Sequence, residues 1–344
     1  MHFHNLTIHQ VTKVTSQAVE IIFDVPAALK DAFNYTSGQY LTLRATIDGA
    51  DTRRAYSLSS APQDGLLTVV VKAVEQGVFS NYAMTLRAGD SLQVAEPQGF
   101  FVHEDVAGDI LLVAAGSGIT PIFSLLKTYL AQSTNKVALI YGNQSVAQTI
   151  YYEQLNDLQD QYGDRFKLTY CFSREDRDGA LFGRVSKSNL NYFLKQHVSE
   201  FAFAKAYLCG PEEMIHMATD NLVEQDILPT EAINFELFTT ADAKTEIKED
   251  GHLTELTVIL DDEKHVLTMK RSETMLDVML KNDIDAPYSC QGGICSSCVG
   301  LIEEGAATML KNNILTDKEV ANGMTLTCQA CPTSAQVTVN FDEV

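Results

Sequence analysis

The chain has no long apolar run, no surplus of positive charge and no internal repeat, and each absence removes a class of function. None of its 344 residues falls in a stretch approaching the ~20 apolar positions that a membrane-crossing helix needs. The opening MHFHNLTIHQ lacks the charged-then-apolar layout of a secretory signal. Lys and Arg number 25 against 45 Asp and Glu, a formal net charge of −20. Phosphate backbones would be repelled by such a surface, so nucleic acid is not an expected partner, and neither is a membrane. No low-complexity tract interrupts the sequence, and because C-x2-C occurs twice, at Cys295/Cys298 and at Cys328/Cys331, zinc-binding cysteines remain an alternative at this point.

What is present is ordinary in bulk and specific in pattern. Hydrophobic residues make up 45% of the chain, a usual share for a globular protein, and the length predicts two or three domains. Residues 1–103 read as short strands: Asn5–Val14, Ala18–Phe23, Tyr40–Ala45, Thr52–Ser59, Leu66–Val74 and Ser91–Val94. Turn pairs such as Asp48-Gly49 and Asp64-Gly65 separate them, and no helix intervenes, which predicts an antiparallel barrel. Residues 104–238 alternate instead. Strands at Ile110–Ala115, Val137–Tyr141, Lys167–Phe172, Lys205–Leu208 and Ala232–Glu236 are divided by helices, among them Gln148–Gln161 and Glu212–Gln225. That alternation predicts a doubly wound parallel sheet. A polar linker over 239–252 and a small mixed α+β domain over 253–344 complete the expectation.

The last domain carries the strongest local signal. Cys290, Cys295 and Cys298 are spaced C-x4-C-x2-C, and Cys328 follows about thirty residues on. This is the ligand spacing of a plant-type [2Fe–2S] cluster, with one iron reached from a tight loop and the other from loop and distant segment together. Gly292 and Gly293 let the backbone curl so that its N–H groups face the sulfurs. Purely structural cysteines are a further alternative. Cys331, close to Cys328, is conceivable as a substitute ligand. Seven cysteines, four of them assigned to a cluster, argue for a reducing compartment such as the bacterial cytoplasm. From Ala241 onward 18 acidic residues face 8 basic ones, which suits docking onto a basic redox partner and equally suits solubility.

Further strings point to the donor that a one-electron acceptor requires. Arg54-Ala55-Tyr56-Ser57 offers an arginine for a flavin phosphate, a ring for the isoalloxazine and a hydroxyl near flavin N5. Gly77-Val78-Phe79-Ser80-Asn81 offers backbone N–H groups and Ser80 for a pyrophosphate, hence FAD rather than FMN; an ordinary turn into a helix is the plainer reading. Gly116-Ser117-Gly118-Ile119-Thr120-Pro121 joins a strand to a helix and could cradle a dinucleotide phosphate, although it is not a G-x-G-x-x-G fingerprint. Arg174, in Ser173-Arg174-Glu175, suits a ribose 2′-phosphate and so NADPH, unless it is a solvated loop residue. Cys209-Gly210-Pro211 ends a strand at the sheet's carboxyl edge, where Cys209 either flanks the nicotinamide or is an inert buried thiol.

Taken in order, RAYS, GVFSN, AAGSGITP, SRE and YLCGP followed by C-x4-C-x2-C resemble ferredoxin–NADP reductase-type flavoproteins with a C-terminal ferredoxin domain. That is the build of reductase components of bacterial multicomponent oxygenases. Within that family the stretches FHNLTIHQVTKVTSQAV, SGQYLTLRATIDGADTRRAYSLSSAP and Leu326-Thr327-Cys328-Gln329 resemble phenylacetyl-CoA epoxidase reductases in particular. The resemblance implies FAD contacts at Arg54, Tyr56 and Ser57 and a pyrophosphate held at Gly77, Phe79, Ser80 and Asn81. It implies Thr120 near flavin and nicotinamide, Arg174 near the 2′-phosphate, and Phe238 closing the nucleotide domain, where a core phenylalanine is an equal reading. It implies the cofactors FAD, NADPH and a [2Fe–2S] cluster, a β-grasp-like ferredoxin domain, Tyr56 and Ser57 as the residues nearest the flavin, and a terminal di-iron oxygenase as partner. No Glu-x-x-His pair is placed in this chain to build the di-iron site itself.

Overall fold

The computed structural model describes residues 1–197, 200–238 and 251–344. The described residues form two compact units, one of residues 3–52, 56–197 and 200–238, the other of 251–344 with 1–2 and 53–55. The expected linker lies outside the described residues except for its last two positions.

In the first unit, strands β1 (Phe3–Thr15), β2 (Ala18–Asp24), β3 (Tyr40–Ile47), β4 (Ala50–Ser57), β5 (Leu67–Lys72) and β6 (Ser91–Ala95) make one sheet in the order β4-β3-β6-β1-β2-β5. Its described pairings are antiparallel, and a bridge between Leu58 and Val69 joins the two edges, so the sheet closes. Alternation supplies the core: Leu6 and Ile8, Val19 and Ile21, Leu41 and Leu43 all turn inward and are buried. Each such side chain removed from water contributes roughly 2 kcal/mol. The Asp48-Gly49 pair carries the positive φ values, 51° and 82°, that a tight two-residue hairpin needs. A six-residue helix α1 (Val78–Ala83) follows β5.

The α/β part has β7 (Asp109–Ala115), β8 (Val137–Asn143), β9 (Phe166–Phe172), β10 (Leu181–Phe182), β11 (Phe203–Gly210) and β12 (Ile233–Leu237), all parallel, in the order β10-β9-β8-β7-β11-β12. Helices α2 (Ile119–Gln132), α3 (Tyr152–Tyr162), α4 (Lys187–His197) and α5 (Glu212–Glu224) alternate with the strands. Leu111, Leu112, Val113 and Ala114 of β7 are wholly buried, as an apolar run in a sheet covered on both faces must be. The strand order reverses between β7 and β11, which opens a crevice at their carboxyl ends. The helix expected from Gln148 begins only at Tyr152, because Tyr151 holds a left-handed φ of 63° and residues 146–148 form a separate turn. Polar contacts seat the barrel against this sheet. Tyr151 donates to Glu20 at 2.7 Å and shares a hydrogen bond with the Ser59 hydroxyl at 2.8 Å, and Ser124 donates to the Ser60 carbonyl at 2.6 Å.

In the second unit β13 (Leu253–Leu260), β14 (Glu263–Lys270), β15 (Val299–Glu304), β17 (Met324–Leu326) and β19 (Gln336–Asn340) form a mixed sheet in the order β14-β13-β19-β15-β17. The short strands β16 (Ala307–Met309) and β18 (Ala330–Pro332) pair separately. Helix α6 (Met275–Lys281) is capped by Thr274, whose hydroxyl accepts from the Asp277 N–H. It buries Met275, Leu276 and Met279 against Leu256, Val258 and Val339. A short helix α7 (Asp317–Ala321) precedes β17. The cluster segment 286–298 runs between α6 and β15 with no regular structure, so its shape is set by turns and by the sulfurs it gathers.

Candidate flavin, nucleotide and cluster sites

The crevice at the sheet's switch point brings two of the sequence strings together. The turn Gly116–Gly118 leaves β7 and starts α2, while Cys209 and Gly210 end β11. A Cβ on Gly118 would fall 2.2 Å from the Cys209 carbonyl oxygen, so only glycine lets these strand ends meet. Thr120 is buried and its hydroxyl donates to the Ser117 carbonyl at 3.1 Å, pinning the first turn of α2. Across from Gly116 lies Lys72 at the end of β5, its Nζ 3.9 Å from where a Gly116 Cβ would stand. No protein group among the described residues pairs with this ammonium, and burial lowers its pKa. An unpaired, partly desolvated cation beside a glycine turn and a helix start is a place for an anion.

A second group gathers at the same edge. Register puts Cys209 of β11 beside Glu236 of β12, and Ser57 at the end of β4 donates to Glu236 Oε2 at 2.9 Å. Glu236 keeps some surface, but its carboxylate is enclosed, and burial pushes its pKa up to about 7 against the opposing Ser57 hydrogen bond. The Cys209 thiol is fully buried and held well above its ordinary value by burial first and the neighbouring Glu236 charge second. Such a thiol stays protonated and unreactive, which favours the inert-thiol reading. Pro211 opens α5, and Phe238 follows β12 directly with 36% of its surface exposed, so it is not a core phenylalanine.

On β4, Tyr56 is half-buried with its ring 5.6 Å from that of Phe79. Exposed Arg54 donates to the Arg53 carbonyl at 2.7 Å, and Ala55 lies between Arg54 and Tyr56. The Gly77–Asn81 string differs from its expectation in detail. Phe79 belongs to the barrel core, Ser80 accepts from the Val74 N–H at 3.2 Å, and the Asn81 amide donates to the Gly77 carbonyl at 2.7 Å. These side chains therefore build the loop. The groups left for an anion are the backbone N–H donors of Val78, Phe79 and Ser80 in the first turn of α1.

The basic edge is wider than Arg174. Strands β9 and β10 pair through Cys171–Leu181 and Phe172–Phe182, so Arg174 and Arg184 each stand two residues beyond the last pair on neighbouring strands. Both are exposed, and neither guanidinium has a partner among the described residues. Glu175, which would repel a phosphate, instead accepts from the Val146 N–H at 2.9 Å and lies 3.7 Å from Arg177.

In the cluster segment Cys290 lies within hydrogen-bond reach of Cys295, and Cys298 of Cys328, with Cys295 also close enough to act on Cys298. The Cys295 thiol foremost, then the N–H groups of Gly292, Ile294 and Cys295, draw the Cys290 sulfur toward thiolate, down to about 6. The Gly292 N–H reaches that sulfur at 3.3 Å. Gly293 has φ +70°, and a Cβ there would meet the Lys311 carbonyl at 2.8 Å. Among the described residues no three Cys, His, Asp or Glu side chains converge on a single-ion site. Four sulfurs brought together beside backbone N–H donors fit a dinuclear cluster. Cys331 lies in β18, buried, with its thiol pushed up to about 11 by burial and the Asp277 charge.

Three domain families match the chain in sequence order. An oxidoreductase FAD-binding domain covers residues 5–103, an oxidoreductase NAD-binding domain 112–220, and a 2Fe-2S iron-sulfur cluster binding domain 258–333. One of the subunits of 1,2-phenylacetyl-CoA epoxidase from Escherichia coli K12 is 35% identical over 351 residues, 99% of this chain and 98% of that protein. The chain belongs to the FAD- and [2Fe–2S]-dependent reductases of multicomponent oxygenases. The ferredoxin reductase component of 3-ketosteroid-9-alpha-monooxygenase from Mycolicibacterium smegmatis is also 35% identical, over 357 residues, covering 99% of this chain and 98% of that one. The solved structure of phthalate dioxygenase reductase shares the fold, with a TM-score of 0.62 at 21% identity over 98% of both chains. In such a reductase electrons pass from NAD(P)H through FAD to the [2Fe–2S] cluster. No described helix is long and apolar enough to cross a membrane.

Sequence patterns do not single out Lys72, Glu236 or Arg184. Glu236 stands inside the Phe235-Glu236-Leu237-Phe238 string, and Arg184 ten residues after Arg174, but strand register alone reveals what each faces.

Proposed function

We propose that this protein is the cytoplasmic reductase of a di-iron oxygenase of the phenylacetyl-CoA epoxidase kind, taking a hydride from NADPH and releasing electrons singly to that partner. The observation that carries the one-electron output is the C-x4-C-x2-C string of Cys290, Cys295 and Cys298 with Cys328 inside the matched 2Fe-2S domain, since a dehydrogenase acting on a dissolved acceptor would need no such segment. The full-length likeness to a phenylacetyl-CoA epoxidase component supports the partner class.

FAD bound here would supply the conversion of a two-electron donor into one-electron steps. The chain's own residues do the rest. Arg54 and the N–H groups of Val78 to Ser80 would hold the flavin's phosphates, and Tyr56 would offer its ring to the flavin. Ser57, bonded to Glu236 whose raised pKa lets it hold a proton near neutral pH, would be the hydroxyl offered to the flavin's redox-active edge. Gly116, Ser117 and Thr120 shape the nucleotide turn, Lys72 pairs with a phosphate of the dinucleotide, and Phe238 covers the nicotinamide side. Cys209, Gly210 and Pro211 form the crevice's other wall.

NADPH over NADH rests on the paired arginines. Arg174 and Arg184 supply two unpartnered guanidinium forks at one sheet edge, and the carboxylate of adjacent Glu175 is engaged elsewhere. Anaerobic titration of the purified protein with NADPH and NADH tests this, followed by reconstitution with phenylacetyl-CoA epoxidase and a phenol hydroxylase. The reading expects NADPH to reduce the protein at lower concentration and the epoxidase to turn over. Equal use of both nucleotides would remove the NADPH assignment, and turnover with the hydroxylase alone would remove the partner.

A further inference from the structure

We propose that the Ser289 hydroxyl donates a hydrogen bond to a sulfur of the [2Fe–2S] cluster and thereby holds its reduction potential up. The proposal rests on the cluster reading given above. Ser289 directly precedes Cys290 and is 0% exposed, and its Oγ is buried with no hydrogen-bond partner among the described residues. A buried hydroxyl left unbonded loses its water without replacement, so such groups nearly always have a partner.

The surroundings narrow the choice of partner. Ala286 and Tyr288 on the approach are themselves buried, as are Cys295 and Cys298. Neighbouring donors already serve sulfur: the Gly292 N–H reaches Cys290 Sγ at 3.3 Å, and the N–H groups of Ile294 and Cys295 act on the same atom. The hydroxyl of Thr327, beside the fourth cysteine, is taken up by the Cys298 carbonyl at 3.0 Å. The acceptors missing from the protein around Ser289 are those that thiolates and inorganic sulfide provide when a cluster is assembled. A hydrogen bond to such a sulfur stabilises the more negative, reduced state more than the oxidised one, which raises the potential.

The test uses the full-length, cluster-loaded protein with Ser289→Ala, and the shape-matched pair Ser289→Thr and Ser289→Val. The readout is the cluster midpoint from an EPR-monitored redox titration. Loss of the hydroxyl in Ser289→Ala and Ser289→Val should lower the midpoint by roughly a tenfold change in the one-electron equilibrium, about 59 mV, while Ser289→Thr stays near the parent. If Ser289→Ala does not retain a cluster, the Thr and Val variants carry the comparison. Equal midpoints in hydroxyl-bearing and hydroxyl-free variants would overturn the proposal, leaving a water as the partner. Parent protein without iron or sulfide would sink the cluster reading instead, so the two failures are distinguishable.

Discussion

The half that receives electrons and the domain that passes them on assemble their sites in opposite ways. Around the crevice, Ser57, Lys72, Cys209 and Glu236 come from four strands, and the Ser57–Glu236 bond joins residues 179 positions apart. Each side chain is placed by sheet register, and the loops between supply backbone N–H groups. In the cluster domain three of four sulfurs lie within nine residues, and the segment that holds them has no regular structure. The first site exists only when a sheet has formed. The second is shaped by local turns, Gln291 at φ 53° and Gly293 at φ 70° among them, and a metal centre held on its sulfurs would complete it.

The sharpest way to break this contrast is to remove a sulfur. Cys298→Ser or Cys328→Ser should abolish the cluster's absorbance and EPR signal while NADPH still bleaches the flavin. Cys331→Ser, outside both pairs, should keep the cluster and cost about 1–3 kcal/mol of stability, the range for a polar group placed in a buried site. Cluster loss in that variant would make Cys331 a ligand after all. The next effect concerns the basic edge. Arg174→Ala and Arg184→Ala should each raise the KM for NADPH by about 10- to 100-fold, from 1.5–3 kcal/mol per charged hydrogen bond, and leave NADH unchanged. Equal losses for both nucleotides would refute a 2′-phosphate role.

The smallest effect is a pH dependence. Glu236 titrates near 7 when folded, well above its ordinary 4.5, so its contribution to stability is full below pH 4.5 and is lost as pH rises through 7. Glu236→Gln escapes that loss. Thermal melts should find the variant more stable than the parent at pH 8 by about 2 kcal/mol, discounted for the part-exposed side chain, with the gain gone at pH 4.5. A gain independent of pH would show that the carboxylate is not desolvated.

The same contrast decides what can be read from the chain. The 2Fe-2S domain is legible because its signal, C-x4-C-x2-C, lies within nine consecutive residues of the matched segment. The barrel and the parallel sheet are legible because alternation and apolar runs are local patterns, as in Leu6 and Ile8 or in β7. Glu236 and Arg184 are not, since neighbours on parallel strands lie far apart in sequence and register has no local signature. The start of α3 falls later than its pattern suggests because nothing in the string around Tyr151 announces a left-handed residue at a tyrosine. Ser80 and Asn81 read as ligand contacts because their types suit that task, whereas the loop itself uses their side chains as acceptors and donors.

The most direct test is anaerobic addition of NADPH to the purified protein while flavin absorbance and the low-temperature EPR spectrum are followed together. The account predicts loss of the oxidised flavin bands and appearance of a reduced [2Fe–2S] signal in the same sample. Flavin bleaching with the cluster present but permanently oxidised, or protein carrying neither flavin nor acid-labile sulfide, would contradict it.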